Sequence, residues 1–173
     1  GEPIPAPYFS KKLLNPSIND KIIDACASPG GKTLYIANLL KNKNKVISYE
    51  IDKSRFKMLN KNMSNYRVDN VESINDDFFN CKIINYNKIL LDVPCSGTGV
   101  INSKPDIKLR RKRTDILKFS SYQLNLLNYA AQLLRKDGQI IYSTCSILKE
   151  ENWNVVNSFL NNNNFNISIS SNI

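Results

Sequence analysis

The alternation of short β-rich runs with amphipathic stretches constrains this chain most. Lys21–Cys26, Lys45–Ile51, Val71–Asn75, Lys88–Leu91 and Gln139–Ser143 read as strands. Between and after them, Thr33–Leu40, Lys53–Asn65, about Ser121–Arg135 and Glu150–Leu160 read as helices. In the third helix Leu124, Leu127, Ala131 and Leu134 fall on one face, and Gly138 supplies the stop. Asn161–Asn164 reads as a polar turn leading into one more alternating strand, Phe165–Ile169. Successive strands separated by helices must cross over to pair in parallel. The pattern therefore predicts an α/β, doubly wound, mostly parallel sheet with helices on both faces and a ligand crevice at the carboxyl ends of the strands.

With 173 residues, 42% of them hydrophobic, the chain has material for one core, and one domain is expected over residues 1–173. No segment has the length of apolar residues needed to cross a bilayer, so a soluble, cytoplasmic, monomeric protein with no membrane partner is expected. The chain opens on Gly1, and Gly1–Pro7 is rich in proline, as in a linker; a fragment of something longer is expected. The four cysteines, Cys26, Cys81, Cys95 and Cys145, include no pair at zinc-knuckle spacing, and there is no histidine. No metal site is expected, and reduced thiols fit better than disulfides.

The first strand runs into Asp24-Ala25-Cys26-Ala27-Ser28-Pro29-Gly30-Gly31-Lys32-Thr33, a glycine turn feeding a helix N-terminus where backbone can approach a ligand closely. Gly31-Lys32-Thr33 matches the end of a phosphate-binding P-loop, but the glycine required five residues earlier is Cys26. The three-glycine spacing of a dinucleotide fingerprint is also missing. What remains is a nucleoside cofactor without a pyrophosphate. Glu50, after the second strand, can accept two hydrogen bonds from a ribose diol, and Asp76, after the third, can accept from an adenine amino group. Either acid alone could equally be a helix cap or a surface group.

The fourth strand ends Leu90-Leu91-Asp92-Val93-Pro94-Cys95-Ser96-Gly97-Thr98-Gly99 and the fifth Ile141-Tyr142-Ser143-Thr144-Cys145-Ser146. Adjacent parallel strands would bring Asp92, Cys95 and Cys145 together at the crevice mouth. Two thiols and a carboxylate suit a reaction at an aromatic carbon that is not nucleophilic by itself. Carbon 5 of cytosine takes a methyl group only after a thiolate adds at carbon 6. An acid must then hold or protonate ring nitrogen 3, and a base must remove the carbon-5 proton. The plainer alternative is that both cysteines are buried small apolar residues.

Asp-Ala-Cys-Ala-Ser-Pro-Gly-Gly-Lys-Thr, Asp-Val-Pro-Cys-Ser-Gly-Thr-Gly-Val, Lys-Pro-Asp-Ile-Lys and Ser-Thr-Cys-Ser-Ile-Leu-Lys-Glu-Glu-Asn, in this order, closely resemble the Sun/Fmu family of RNA cytosine-5 methyltransferases. The similarity runs from about Lys21 to Asn157. It implies a class I, Rossmann-like fold with S-adenosylmethionine as cofactor, S-adenosylhomocysteine as product and cytosine in RNA as substrate. Ribosomal RNA is the favoured substrate, with transfer RNA or an inactive RNA-binding or assembly module as the alternatives. The resemblance further implies that Cys145 is the nucleophile and that Cys95 assists release of the methylated product. It places Cys26, Ala27, Ser28, Pro29, Gly30, Gly31, Lys32, Glu50, Asp76 and Asp92 at the cofactor. It also expects Lys32 and Asp106 near the active site, without a chemical step. The family's N-terminal RNA-binding region, upstream Gln-Asp pattern and terminal Gly-Phe-Phe hairpin are not visible in this sequence, so the sheet is expected to lack its final strand.

The 24 Lys+Arg exceed the 15 Asp+Glu by nine, a balance suited to a polyanionic partner. Lys104, Lys108, Arg110, Arg111, Lys112 and Arg113 lie between the Pro-Cys loop and the long helix, where they can border the site and neutralise RNA phosphates. A solvated charged loop is the ordinary alternative.

Overall fold

The computed structural model of the chain describes residues 14–41, 43–100 and 112–167. Its centre is a parallel five-stranded sheet in the order β3-β2-β1-β4-β5. The strands are β1 (Ile22–Asp24), β2 (Val46–Tyr49), β3 (Val71–Ile74), β4 (Tyr86–Asp92) and β5 (Leu134–Ser143). Among the described residues four α-helices accompany them: α1 (Gly31–Leu39), α2 (Lys53–Asn65), α3 (Arg113–Leu133) and α4 (Trp153–Asn162). Chain order reverses between β1 and β4, which pair through Ile22 with Lys88, Ile23 with Ile89 and Asp24 with Leu90. That reversal opens the crevice predicted for a doubly wound sheet.

The central strands are apolar on both faces because helices cover both, and strand side chains alternate between the two. Ile22 and Leu90 join Leu14, Ile36, Ala37, Leu40, Val46 and Ile141 in one core. Their neighbours Ile23, Ile89 and Leu91 join the opposite core, with Phe78, Leu126, Leu127, Ala130, Val155 and Phe159 from beyond β3, α3 and α4. A smaller cluster of Ala27, Leu59 and Met63 packs α2 under the glycine turn.

Strand and helix order agree with the sequence expectation, and α2 has the expected bounds; three differences are instructive. The long helix begins at Arg113 rather than near Ser121 and buries Gln123, Leu126, Leu127, Ala130 and Leu133. Leu124 and Ala131 of the expected face are only partly buried, and Leu134 lies in β5. Two apolar stripes run along this helix, and contact with the sheet selects one of them. The last strand begins at Leu134, directly after the helix. Its pairing jumps from Tyr86–Leu134 to Lys88–Gln139, so five residues of β5 pass two of β4, with Asp137 at φ 64° in the protrusion. The expected helix over Glu150–Leu160 opens instead with a 3-10 turn, Lys149–Glu151, and becomes α-helical at Trp153.

Phe165–Ile167 of the expected extra strand are not in a strand, and Ser168 and Ile169 lie outside the described residues. Among the described residues β5 pairs on one side only, with β4. Among them, too, no helix is long and apolar enough to cross a membrane.

Candidate active site

The chain leaves β1 through Ala25–Ser28 and enters α1 through Gly30, whose φ of 104° suits glycine. A Cβ there would stand 2.6 Å from Met63 Cε and 2.8 Å from Leu59 Cδ1, so the turn is also pressed against α2. Three hydrogen bonds brace it. Arg55 Nη2 donates to Ser28 O at 2.8 Å, Ser28 Oγ to Arg55 O at 2.9 Å, and Asn62 Nδ2 to Pro29 O at 2.7 Å. Above the turn, Asp24, Cys26, Ala27, Ser28, Pro29, Gly31, Lys32 and Asp92 line a cavity of about 220 Å³. At Gly31 an added Cβ would meet nothing within 4 Å, so the first turn of α1 faces open space.

Asp24 is the carboxylate that sequence reasoning passed over. It is fully buried; Thr33 Oγ1 donates to Oδ2 at 2.7 Å, while Oδ1 is buried without a hydrogen-bond partner. Burial, and then the Asp92 charge, raise its pKa to about 6 against the Thr33 hydrogen bond. An acidic residue ending an apolar strand was the available signal. Cys26 sits above it, and burial followed by the charges of Asp24, Glu50 and Asp92 pushes its thiol well above the ordinary range. Such a thiol can line the cavity but is a poor nucleophile.

A second cavity, of about 110 Å³, is lined by residues from the ends of β1, β2 and β3, Glu50 and Asp76 among them, together with Pro94 after β4 and Tyr122 of α3. Glu50 is neither a helix cap nor a surface group. It is buried; Oε1 accepts from Asp52 N at 3.1 Å, and Oε2 lies 3.4 Å from Arg55 Nε. Asp52 is the α2 cap, accepting from Arg55 N at 2.8 Å. Asp76 borders the same cavity but is exposed, and its Oδ1 accepts from Asp77 N at 2.7 Å and Asn80 Nδ2 at 2.8 Å. Of the two acids, Glu50 is the one built into the fold.

The end of β4 borders both cavities, with Asp92 on the larger and Pro94 on the smaller. Lys32 Nζ stands 2.6 Å from Asp92 Oδ2, and Ser143 Oγ donates to Asp92 Oδ1 at 2.6 Å, so a cation and a hydroxyl orient the carboxylate. Lys32, expected at the cofactor but without a chemical step, is thus an Asp92 partner. The loops after the two strands are laced together: Val93 N donates to Ser143 O at 2.9 Å and Gly99 N to Cys145 O at 2.8 Å. A side chain at Gly99 would place its Cβ 2.7 Å from that Cys145 oxygen, so glycine permits the contact.

This lacing puts Cys95 Sγ 2.9 Å from Cys145 Sγ, with Cys145 exposed and Cys95 half-buried. The pair shares a hydrogen bond and titrates as a unit. Hydrogen bonding from Cys145, and further bonds from Thr144 and the backbone at Gly97 and Cys145, lower Cys95 to about 6 against its burial. The neighbouring Cys95 sulfur and burial push Cys145 up. One proton leaves the pair readily and the second is held. The fourth cysteine, Cys81, is buried in the core beside Tyr86.

Of the basic stretch, Lys104, Lys108, Arg110 and Arg111 lie outside the described residues, as does Asp106. Lys112 and Arg113 are exposed at the start of α3. Among the described residues no group of three or more His, Cys, Asp or Glu is arranged to hold a metal ion.

A family model described as 16S rRNA methyltransferase RsmB/F matches residues 11–172. Ribosomal RNA small subunit methyltransferase B of Proteus mirabilis is 36% identical over 152 residues, covering 86% of this chain and 36% of that protein. The protein of the same name from Photorhabdus laumondii is 37% identical over 152 residues, covering 86% and 35%. The crystal structure of NSun6 from Pyrococcus horikoshii superposes with a TM-score of 0.83 at 33% identity, over 92% of this chain and 41% of that one. The chain therefore spans about a third of the length of these curated relatives.

Proposed function

We propose that this chain, which belongs to the 16S rRNA methyltransferase RsmB/F family, is a catalytic domain that methylates carbon 5 of a cytosine in ribosomal RNA through a covalent Cys145 adduct. The observation that carries the proposal is the meeting of Cys95 and Cys145, 2.9 Å apart, beside an Asp92 oriented by Lys32. An inactive binding module has no use for a thiol pair with one readily lost proton.

The crevice suits S-adenosylmethionine as methyl donor. Asp24, with an unpartnered buried oxygen, and Asp92 give the larger cavity the negative character that a cationic group requires. The smaller cavity offers the buried Glu50 carboxylate for a ribose diol and Pro94 and Tyr122 as apolar walls. The cofactor, when bound, supplies a methyl group activated by a sulfonium. Ala27, Ser28, Pro29, Gly30 and Gly31 would provide the turn that holds it, and Cys26 would line the wall without reacting.

The chain's own residues then perform the proton and thiol chemistry. As Cys145 Sγ bonds to cytosine carbon 6, its proton passes to the Cys95 thiolate beside it. The Lys32–Asp92 pair holds ring nitrogen 3 and shares a proton with it as charge develops. After methylation, Cys95, its proton lost to solvent, removes the carbon-5 hydrogen, and the carbon 6–sulfur bond breaks to return the Cys145 thiolate. The raised Cys145 thiol does not oppose this scheme, because the relay supplies its thiolate only at the moment of attack.

Transfer of labelled methyl from S-adenosylmethionine to small-subunit ribosomal RNA, followed by nucleoside analysis, tests the reading. Labelled 5-methylcytosine made by the full chain and absent with Cys145→Ala is the expected result. Methyl transfer to another position, or transfer that survives Cys145→Ala, overturns it.

A further inference from the structure

Behind the thiol pair lies a carboxylate for which the chemistry above has no use. Glu151, in the 3-10 turn before α4, is fully buried. No cation pairs with it among the described residues. Burying an unpaired carboxylate is costly unless hydrogen bonds replace its water. Four donors do so. Oε1 accepts from Ser96 N at 2.8 Å and from Gln123 Nε2 at 3.2 Å. Oε2 accepts from Ser146 Oγ at 2.7 Å and from Ser96 Oγ.

The placement of these donors is informative. Ser96 directly follows Cys95, and Ser146 directly follows Cys145. Gln123 Nε2 also donates to Pro94 O at 2.8 Å, so the other neighbour of Cys95 is tied to the same centre. Thr98 Oγ1 meets Ser146 Oγ at 3.0 Å and accepts from Ile147 N at 3.1 Å. Asn152, next to Glu151, donates to Ser146 O at 2.7 Å and Leu148 O at 2.9 Å. Both cysteine loops thus converge on residues 151 and 152. An apolar side chain could fill this space but could not accept from both loops, and a lone hydroxyl has too few lone pairs to accept all four bonds.

We propose that Glu151 is a positioning residue for the thiol pair: by drawing Ser96 and Ser146 onto one carboxylate, it sets the separation of Cys95 and Cys145 and so the proton relay between them. The inference rests on the thiol chemistry proposed above, but its physical core, control of the sulfur–sulfur separation, can be measured without RNA. Misplacement of reacting groups by about 1 Å costs on the order of a hundredfold in rate.

The experiment compares the full chain with Glu151→Gln, Glu151→Asp and Ser146→Ala, all checked for cooperative melting. Diamide, which takes up the two thiol hydrogens as the sulfurs join, is added, and the Cys95–Cys145 disulfide is followed by peptide mass spectrometry. Glu151→Gln, which turns an acceptor into a donor facing donors, is expected to slow disulfide formation about tenfold or more, with Glu151→Asp intermediate. Its methyl transfer is expected to show a comparable fall in kcat with KM for RNA unchanged. If Glu151→Gln does not fold, Ser146→Ala, which removes one donor, decides the matter through a smaller slowing of the same kind. Oxidation at the parent rate in a folded variant overturns the proposal, as does slowed oxidation with unchanged kcat. A parent chain that oxidises quickly but methylates no RNA counts against the functional reading alone, since the oxidation comparison judges Glu151 independently.

Discussion

Cys26 and Cys95 follow the carboxyl ends of adjacent parallel strands, face the same crevice and have opposite character. Burial and three carboxylates push Cys26 up. Hydrogen bonds from Cys145, Thr144 and the backbone draw Cys95 down to about 6. Strand-end position alone therefore makes no thiol reactive; the donors around the sulfur do. The same contrast separates two halves of the crevice. The β1 side is a braced glycine turn over a buried acid, proposed above to hold the cofactor. The β4–β5 side is two laced loops carrying the half-buried Cys95 and the exposed Cys145, proposed above to react.

The largest expected effect separates the two sulfurs of the reactive half. Cys145→Ala should lower methyl transfer by at least about a thousandfold, as removal of a covalent nucleophile commonly does. Cys95→Ala should instead accumulate, more slowly than the parent forms it, a protein–RNA adduct that survives denaturing electrophoresis, because without the neighbouring sulfur that pushes it up the Cys145 thiol can lose its proton to solvent. Identical behaviour of the two variants would erase the division of labour.

On the β1 side, Asp24 is the sensitive point. Its folded pKa of about 6 exceeds the ordinary 3.8, so the folded chain binds this proton more tightly than the unfolded one. The resulting stabilisation is complete below about pH 4 and is lost as pH rises through about 6. A shift of this size corresponds to about 3 kcal/mol. Asp24→Asn should therefore raise stability at pH 8 relative to the parent by up to that amount and flatten the pH dependence between 4 and 6. Denaturant midpoints across that range check it; a variant with the parent's pH profile would show that Asp24 is not the titrating group. The same substitution should weaken cofactor binding, the usual cost of relieving a strained site.

A smaller effect tests the thiol contrast directly. In the parent, Cys95 should be alkylated by iodoacetamide with a pH midpoint near 6, while Cys26 resists at neutral pH. Cys145→Ser should move the Cys95 midpoint toward the ordinary thiol value of about 8.5, because its largest lowering contact is weakened. The smallest expected change is at the rim: Lys112→Ala with Arg113→Ala should reduce the log–log salt slope of RNA binding by about 1 to 2, with methyl transfer at saturating RNA unchanged.

The sequence by itself determined the order of strands and helices, the glycine turn, and the presence of cysteines and Asp92 at the ends of β4 and β5. These follow from short-range physics: side-chain period, turn chemistry and the steric demands of a residue such as Gly30, all set within a few residues along the chain. Only the tertiary structure decided which stripe of α3 faces the core, that Glu50 is buried against Arg55 while Asp76 spends an oxygen on its own turn, and that Asp24 lies under the cavity. It likewise decided that Glu151 accepts from a serine 55 positions away. Partners so far apart in sequence are chosen by which strands lie side by side and what their helices exclude from water, and no local pattern in the chain encodes that choice.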